Sequence, residues 1–144
     1  MDETKRKAYH EAAHAVAALR FGWRLNYVSI ASPTTKGWWP QAGASPNQEV
    51  IVALAGYVAE TIVYPGSEKC AREAAKDDFD DAAELIQKLD DQDLGSWISR
   101  TRSFVEYNWK AISALAKALL QNGTLFPGKI KDVVRTADLG EAGD

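Results

Sequence analysis

Apolar residues recur every three or four positions over much of the chain, which is the spacing of helices with one buried face. The first such helix is predicted between the N-cap residue Asp2 and Gly22. A second begins at a capping box, formed by Ser45 and Gln48, and ends before Pro65. Because this second segment is apolar on nearly every side, we expect it to form the buried centre of the domain.

The second half of the chain predicts further helices. One starts at Asp77, with acidic residues at its positive N-terminal end. A longer one covers about residues 96–121, and a short one is expected around residues 129–134. Residues 67–76 fit a short helix or a loop equally well, because they are polar and have little apolar face.

Extended structure is predicted between the first two helices. Residues 25–31 (LNYVSIA) combine β-branched and aromatic side chains and run into the breaker Ser32-Pro33. A second extended piece is expected at Trp38 and Trp39, whose side chains fit packing better than an exposed binding surface. Since so few strands are not stable alone, they must lean on the helices. The fold class is therefore mainly α (α+β), with a small two- or three-stranded β element.

Length and composition favour a single domain. The chain has 144 residues, of which 46% are hydrophobic and 26% charged. At this size about two thirds of the surface can be buried on folding. We assign residues 1–135 to one domain and expect the small, acidic residues 136–144 to form a disordered tail. Cys70 is the only cysteine, so no disulfide can form within the chain and a cytoplasmic location is expected.

The charge and hydropathy patterns exclude several classes of partner. The 17 Lys and Arg residues against 20 Asp and Glu residues give a net charge of −3, so no basic surface for nucleic acid is expected. The longest apolar stretch, residues 50–59, is about half of the ~20 residues that a membrane helix needs. Residues 1–7 lack the apolar run of a secretory signal. We therefore expect neither a nucleic-acid partner nor a membrane span.

The first predicted helix contains His10-Glu11-Ala12-Ala13-His14, which has the HExxH pattern. Positions four apart lie on one face of a helix, so both imidazoles can bind the same zinc ion. Glu11 can then act on a water molecule at the open position of the metal, whose pKa zinc lowers to about 7. The chain has only 2 histidines, so the pattern predicts one zinc ion (Zn2+) per chain and a hydrolase.

A catalytic zinc site takes three protein ligands, and the third must be a carboxylate or the single thiol, Cys70. An acidic cluster opens the helix predicted from Asp77. Within it, Asp78 precedes the apolar Phe79 and is the most suited to face inward. Glu60 is the alternative, because it interrupts an otherwise apolar helix, where a carboxylate needs a metal or a ligating histidine as its partner.

Four segments of the chain, taken in order, resemble a known family. They are AYHEAAHAV at residues 8–16, YVSI at 27–30, LAGYVAE at 54–60 and DFDDA at 78–82, with a closing helix and turn over 115–130. Together they are similar to the FtsH-type peptidase domain, the zinc protease half of membrane-bound AAA+ proteases. The resemblance covers about residues 7–134.

The resemblance implies a zincin-like helical domain that acts as a zinc metalloendopeptidase. Glu11 would be the catalytic general base, and the zinc ligands would be His10, His14 and Asp78. The strand that pairs with the backbone of an extended substrate would contain Tyr27, Val28, Ser29 and Ile30. The implied substrate is a peptide or an unfolded protein, recognised mainly through its main chain.

The chain departs from the family in three ways that change what we expect. Ala13 replaces a glycine of the family motif. Residues 72–76 replace a Thr-Gly-Ala-Ser run that precedes the ligand aspartate in the family, and this second change leaves Asp77 as an alternative ligand. The sequence also has no Walker A loop, and so lacks the ATPase ring that supports hexamers in this family. We therefore expect a separate ATPase or unfoldase as partner, or substrates that are already unfolded. The alternative function is a catalytically weak, metal-stabilised binding or regulatory module that partners an ATPase or a full-length protease.

Overall fold

The computed structural model describes residues 2–31, 37–40, 44–89 and 93–140. Within these ranges the chain forms seven helices, which are α1 (Glu3–Arg20), α2 (Pro46–Val63), α3 (Glu68–Ala74), α4 (Lys76–Gln87), α5 (Leu94–Tyr107), α6 (Trp109–Asn122) and α7 (Pro127–Asp138). The strands found in the same ranges are β1 (Arg24–Leu25), β2 (Val28–Ser29), β3 (Trp38–Trp39) and β4 (Thr124–Leu125). The predicted class, mainly α with a small β element, is confirmed. Of these helices, none combines the length and the hydropathy that crossing a membrane requires.

The predicted starts of α1 and α2 are confirmed. The side chain of Asp2 accepts hydrogen bonds from the backbone N–H groups of Thr4 and Lys5 and so caps α1. Ser45 accepts a hydrogen bond from the N–H of Gln48, with an N···O distance of 3.2 Å, and caps α2. The caps determine where each helix begins and thereby which residues share a helix face.

Helix α2 lies at the centre of the fold, as its apolar sequence predicts. It contacts α1, α4 and α5, and all of its residues from 54 to 60 are buried. Helix α1 also contacts α6, which in turn contacts α7. Because α1 is held by both α2 and α6, the direction in which His10 and His14 point is set by the packing of the core.

The strands form two antiparallel pairs instead of one sheet. β1 pairs with β3, and β2 pairs with β4. The prediction of a single strand over residues 25–31 is wrong, because only Arg24–Leu25 and Val28–Ser29 are strands and they pair with different partners. Between them, the N–H of Asn26 donates to the carbonyl of Gly37 at 2.8 Å. A two-residue strand such as β4 leaves no periodic pattern in the sequence. The register is Arg24↔Trp39, Leu25↔Trp38, Val28↔Leu125 and Ser29↔Thr124.

The single helix predicted over residues 96–121 is wrong, because the chain breaks at Asn108 into α5 and α6. The side chain of Asn108 is buried and hydrogen-bonded on both sides. Its amide nitrogen donates to the carbonyl of Phe104 at 2.9 Å, and its Oδ1 accepts from Nε of Arg20 at 2.8 Å. An asparagine that bonds locally in this way competes with the helical backbone.

The C-terminal helix is longer than predicted. Helix α7 continues through Asp138, so residues 136–138, which we expected in the disordered tail, are helical. Oxygens of Asp138 accept hydrogen bonds of 2.8 and 2.6 Å from the guanidinium of Arg20. This pair ties the end of α7 to the end of α1. The remainder of the expected tail from residue 141 onward lies outside the described residues.

Candidate metal centre

Asp78 lies in the first turn of α4 and is oriented by its neighbour Phe79. Residues 67–76, for which the sequence left helix and loop open, form α3 and the junction into α4. Phe79 is buried, and its ring packs edge to face on Tyr57 of α2 with ring centroids 4.8 Å apart. This contact anchors the start of α4 against the core and turns Asp78 toward α1.

The structure brings His10, His14 and Asp78 together. Oδ2 of Asp78 lies 3.1 Å from Nε2 of His10 and 3.2 Å from Nε2 of His14, and the two Nε2 atoms are 3.0 Å apart. A tetrahedral metal with bonds of about 2.0 Å needs ligand atoms about 3.3 Å apart. Within the described ranges, these three residues form the one group of this kind, and their spacing fits a zinc ion.

The second ring nitrogen of each histidine has a partner on α2. Nδ1 of His14 lies 2.6 Å from the carbonyl oxygen of Val52. A carbonyl can only accept, so Nδ1 of His14 donates to it, which leaves Nε2 as the ring nitrogen that faces the cluster and could bind a metal. Nδ1 of His10 contacts Oε2 of Glu60. Both imidazoles are thus held with Nε2 directed at the shared position.

The alternative ligands take other places. Glu60 is 1% exposed and contacts the far nitrogen of His10, so it holds a candidate ligand and does not join the cluster. Asp77 is exposed and makes no described contact with either histidine. Cys70 is exposed on α3. The buried Glu60 has a histidine as its partner, as expected; that this histidine binds a metal stays a prediction.

Gly56 is a position beside the candidate ligands whose importance sequence reasoning missed. A Cβ added there would lie 2.6 Å from Nε2 of His14 and 2.7 Å from Nε2 of His10, which is far inside ordinary contact distance. The backbone of α2 therefore approaches the candidate ligand atoms so closely that only glycine fits. A glycine in the interior of a strongly apolar helix is the sequence signal that could have indicated it.

The charges in the cluster favour a cation among the three residues. Burial lowers the pKa of His10, but its hydrogen bonds with Asp78 and Glu60 outweigh that effect and raise the pKa to about 10. Burial raises the pKa of Asp78, but the adjacent His14 and His10 hold it well below its usual range. In the metal-free chain a proton therefore balances the carboxylates, a role that a zinc ion would take over.

The cluster lines an open cavity of about 630 Å³, a size typical of ligand sites. Glu11, the residue after His10, lines the same cavity and is partly exposed. The apolar part of the wall consists of Trp23, Trp38, Pro40, Val52, Ala53 and Leu85, with adjacent alanines. A molecule in this cavity can therefore reach the candidate ligands and Glu11 at the same time.

The wall beside His14 is formed by β3. The ring of Trp38 stacks on His14 with centroids 5.2 Å apart and is 8% exposed, as expected for a packing role; the side chain of Trp39 lies outside what the structure describes. The residues expected to bind substrate do not line the cavity, and two of them pair with β4. These are Tyr27, Val28, Ser29 and Ile30. Their role stays a prediction that the cavity does not support.

No protein-family model matches this chain, and no curated protein matches it. The resemblance to the FtsH-type peptidase domain therefore stays a prediction. What the chain can do has to be argued from the residues of the cluster and the cavity.

Proposed function

We propose that this protein is a zinc-dependent metallopeptidase, similar to the FtsH-type domain, that hydrolyses peptide bonds of unfolded or extended polypeptides. One observation carries the proposal. Three candidate ligand atoms within 4.8 Å of one another share an open cavity with the glutamate of the HExxH sequence. A purely structural zinc site takes four protein ligands and needs neither the cavity nor the glutamate.

His10, His14 and Asp78 would hold the zinc ion, and a fourth position would remain for water and substrate. When bound, zinc supplies a Lewis acid that polarises the scissile carbonyl and lowers the pKa of a water molecule toward about 7. Val52 and Glu60 keep the histidines in the orientation that this ligation needs, through their contacts with the Nδ1 atoms.

Glu11 would act as the general base. Its carboxylate accepts a proton from the attacking water while the water oxygen bonds to the carbonyl carbon. When the C–N bond breaks, Glu11 returns this proton to the leaving nitrogen, so that an acid and an amine are formed. Glu11 is separate from the three candidate ligands, which leaves its carboxylate available for the proton.

The cavity supports an extended substrate. Its volume of about 630 Å³ accommodates a few residues of a chain, whereas a folded domain is far larger. A folded protein would therefore reach the site only after unfolding, for which we propose a separate ATPase as partner. The exposed thiol of Cys70 is consistent with the cytoplasmic location that we propose.

The test combines metal content with hydrolysis. Elemental analysis of the purified protein should find one zinc ion per chain, and casein should be cleaved in a chelator-sensitive manner. Glu11→Gln should keep the zinc and lose at least about 100-fold in cleavage rate, the range expected for a general base. Zinc without cleavage in the wild type would overturn the peptidase and favour the metal-stabilised binding module, while absence of zinc would overturn both.

A further inference from the structure

Helices α1 and α2 pack against each other, and the residues that meet are spaced four positions apart on both helices. One face of α1 presents Arg6, His10 and His14. The facing side of α2 presents Glu60, Gly56 and Val52, which also lie four positions apart and run in the opposite direction. Arg6 meets Glu60, the two histidine rings meet the backbone at Gly56, and His14 meets Val52. Arg6 thus belongs to the same face as the candidate ligands, one turn before His10.

Arg6, Glu60 and His10 form a continuous chain of contacts. Nη1 of Arg6 donates to Oε1 of Glu60 at 2.9 Å, and Oε2 of Glu60 contacts Nδ1 of His10. Both oxygens of the Glu60 carboxylate are therefore occupied. The Glu60 side chain is 1% exposed and that of Arg6 is 13% exposed, so water competes little for these contacts.

The two histidines differ in how they are held. His14 is held by a backbone carbonyl, which the hydrogen bonding of α2 keeps in place. His10 is held by the side chain of Glu60, which has rotatable bonds of its own. The orientation of His10 therefore depends on what holds Glu60, and among the described contacts of Glu60 other than His10 this is Arg6.

We propose that Arg6 is a positioning residue for the metal, which acts through Glu60 to hold the His10 ring with its proton on Nδ1 and its Nε2 lone pair directed at zinc. This inference rests on the zinc-binding part of the proposed function. Glu3 prepares Arg6 for this role, since both of its carboxylate oxygens lie 3.2 Å from Nε of Arg6. Without the guanidinium, Oε1 of Glu60 would be buried without a hydrogen-bond partner, which is unfavourable. An orientation of the carboxylate that turns away from His10 would then become relatively more stable.

The experiment measures the zinc dissociation constant by competition with a chelator of known affinity. Arg6→Ala and Arg6→Gln should weaken zinc binding about tenfold, at the lower end of the range for residues that orient metal ligands. Arg6→Lys should retain more of the affinity than either. Arg20→Ala is the matched control, because Arg20 is also on α1 and paired with a carboxylate but lies far from the cluster in the helix. Circular dichroism establishes that each variant is folded.

A double-mutant cycle separates action through Glu60 from a general effect on α1. Glu60→Gln should weaken zinc binding by about 10–100-fold, and adding Arg6→Ala to it should have little further effect. In the zinc-loaded protein, the Nδ1–H resonance of His10 should be seen by NMR in the wild type and Arg20→Ala. It should broaden by exchange with water in Arg6→Ala.

Three results would overturn the inference. The first is wild-type zinc affinity in both Arg6→Ala and Arg6→Gln. The second is a double variant whose loss of zinc affinity is the product of the losses in Arg6→Ala and Glu60→Gln. The third is a loss of zinc affinity in Arg20→Ala as large as that in Arg6→Ala. A wild-type protein without zinc would overturn the proposed function together with this inference. Zinc bound tightly without hydrolysis, but weakened in the Arg6 variants, would overturn the peptidase and support the role of Arg6.

Discussion

Gly56→Ala is the substitution that tests the close approach of α2 to the candidate metal centre most directly. A single methyl group is added at a position where the nearest atoms, Nε2 of His14 and Nε2 of His10, lie at 2.6 and 2.7 Å. These are two of the three candidate ligand atoms. The methyl group cannot be accommodated while both rings keep their places.

The size of the effect follows from the distances. Ordinary contact begins near 3.4 Å, so the rings or the helix must retreat by about 0.8 Å. Metal sites tolerate ligand displacements of about 0.2 Å. We therefore expect Gly56→Ala to weaken zinc binding at least about 100-fold, the upper end of what changes around the ligands cause.

The effect on folding should be small by comparison. Alanine is favoured over glycine inside a helix by about 1 kcal/mol, whereas overpacking costs about 1–3 kcal/mol. The free energy of unfolding of the metal-free chain should therefore fall by no more than about 2 kcal/mol. The expected signature is a folded, helical protein that has lost its zinc.

The assay combines elemental analysis, chelator competition and circular dichroism of the metal-free protein. Gly128→Ala is the matched control, since Gly128 is also in a helix and a Cβ there would meet nothing within 4 Å. The control should bind zinc as the wild type does. Wild-type zinc affinity in Gly56→Ala would refute the reasoning, because the rings would then be free to move without loss of ligation.

Two further predictions concern the same cluster. Asp78→Ala should weaken zinc binding by more than the about 10–100-fold that changes around the ligands cause, whereas Asp77→Ala, the adjacent control, should leave zinc binding unchanged. Equal losses for the two variants in the chelator competition would contradict the choice of Asp78 over Asp77 as the ligand. In the metal-free protein the pKa of His10 is raised from 6.5 to about 10, so the stability that its proton contributes is complete below pH 6.5 and is lost as the pH rises through 10. Urea unfolding in the presence of a chelator should show this decline in stability. Since zinc has to displace the proton, zinc affinity should rise over the same pH interval. If neither the stability nor the zinc affinity depended on pH, the raised pKa of His10 would be contradicted.

The parts of the site that lie close together in the sequence could be predicted from it. The caps Asp2 and Ser45 locate the starts of α1 and α2, and His10 and His14 are four positions apart, so their shared face follows from helix geometry alone. Asp78 could be selected because Phe79 had to be buried. Each of these inferences uses only neighbours within one helical turn.

The features that the sequence did not predict depend on partners far along the chain. The break at Asn108 involves Arg20, 88 positions away. The division of the expected strand depends on β3 and β4, which pair with different halves of it. In each case the local pattern of the segment is compatible with one continuous element, and the contacts that accompany its division include pairing with a distant part of the chain. Periodicity contains no information about such a bond.

The contacts of Gly56 and Glu60 can be inferred once α1 and α2 are considered as a pair. Taken alone, a glycine in an apolar helix indicates close packing, and a buried glutamate indicates some partner. Gly56 and Glu60 are four positions apart, as are His10 and His14. When the two helices pack antiparallel, the glycine therefore lies against the histidine rings, and the Glu60 carboxylate lies one helical turn farther along α2. The same reasoning places a cation one turn before His10, where Arg6 stands. Matching the periods of two facing helices thus identifies the residues that contact candidate metal ligands, which a search for further ligands alone does not find.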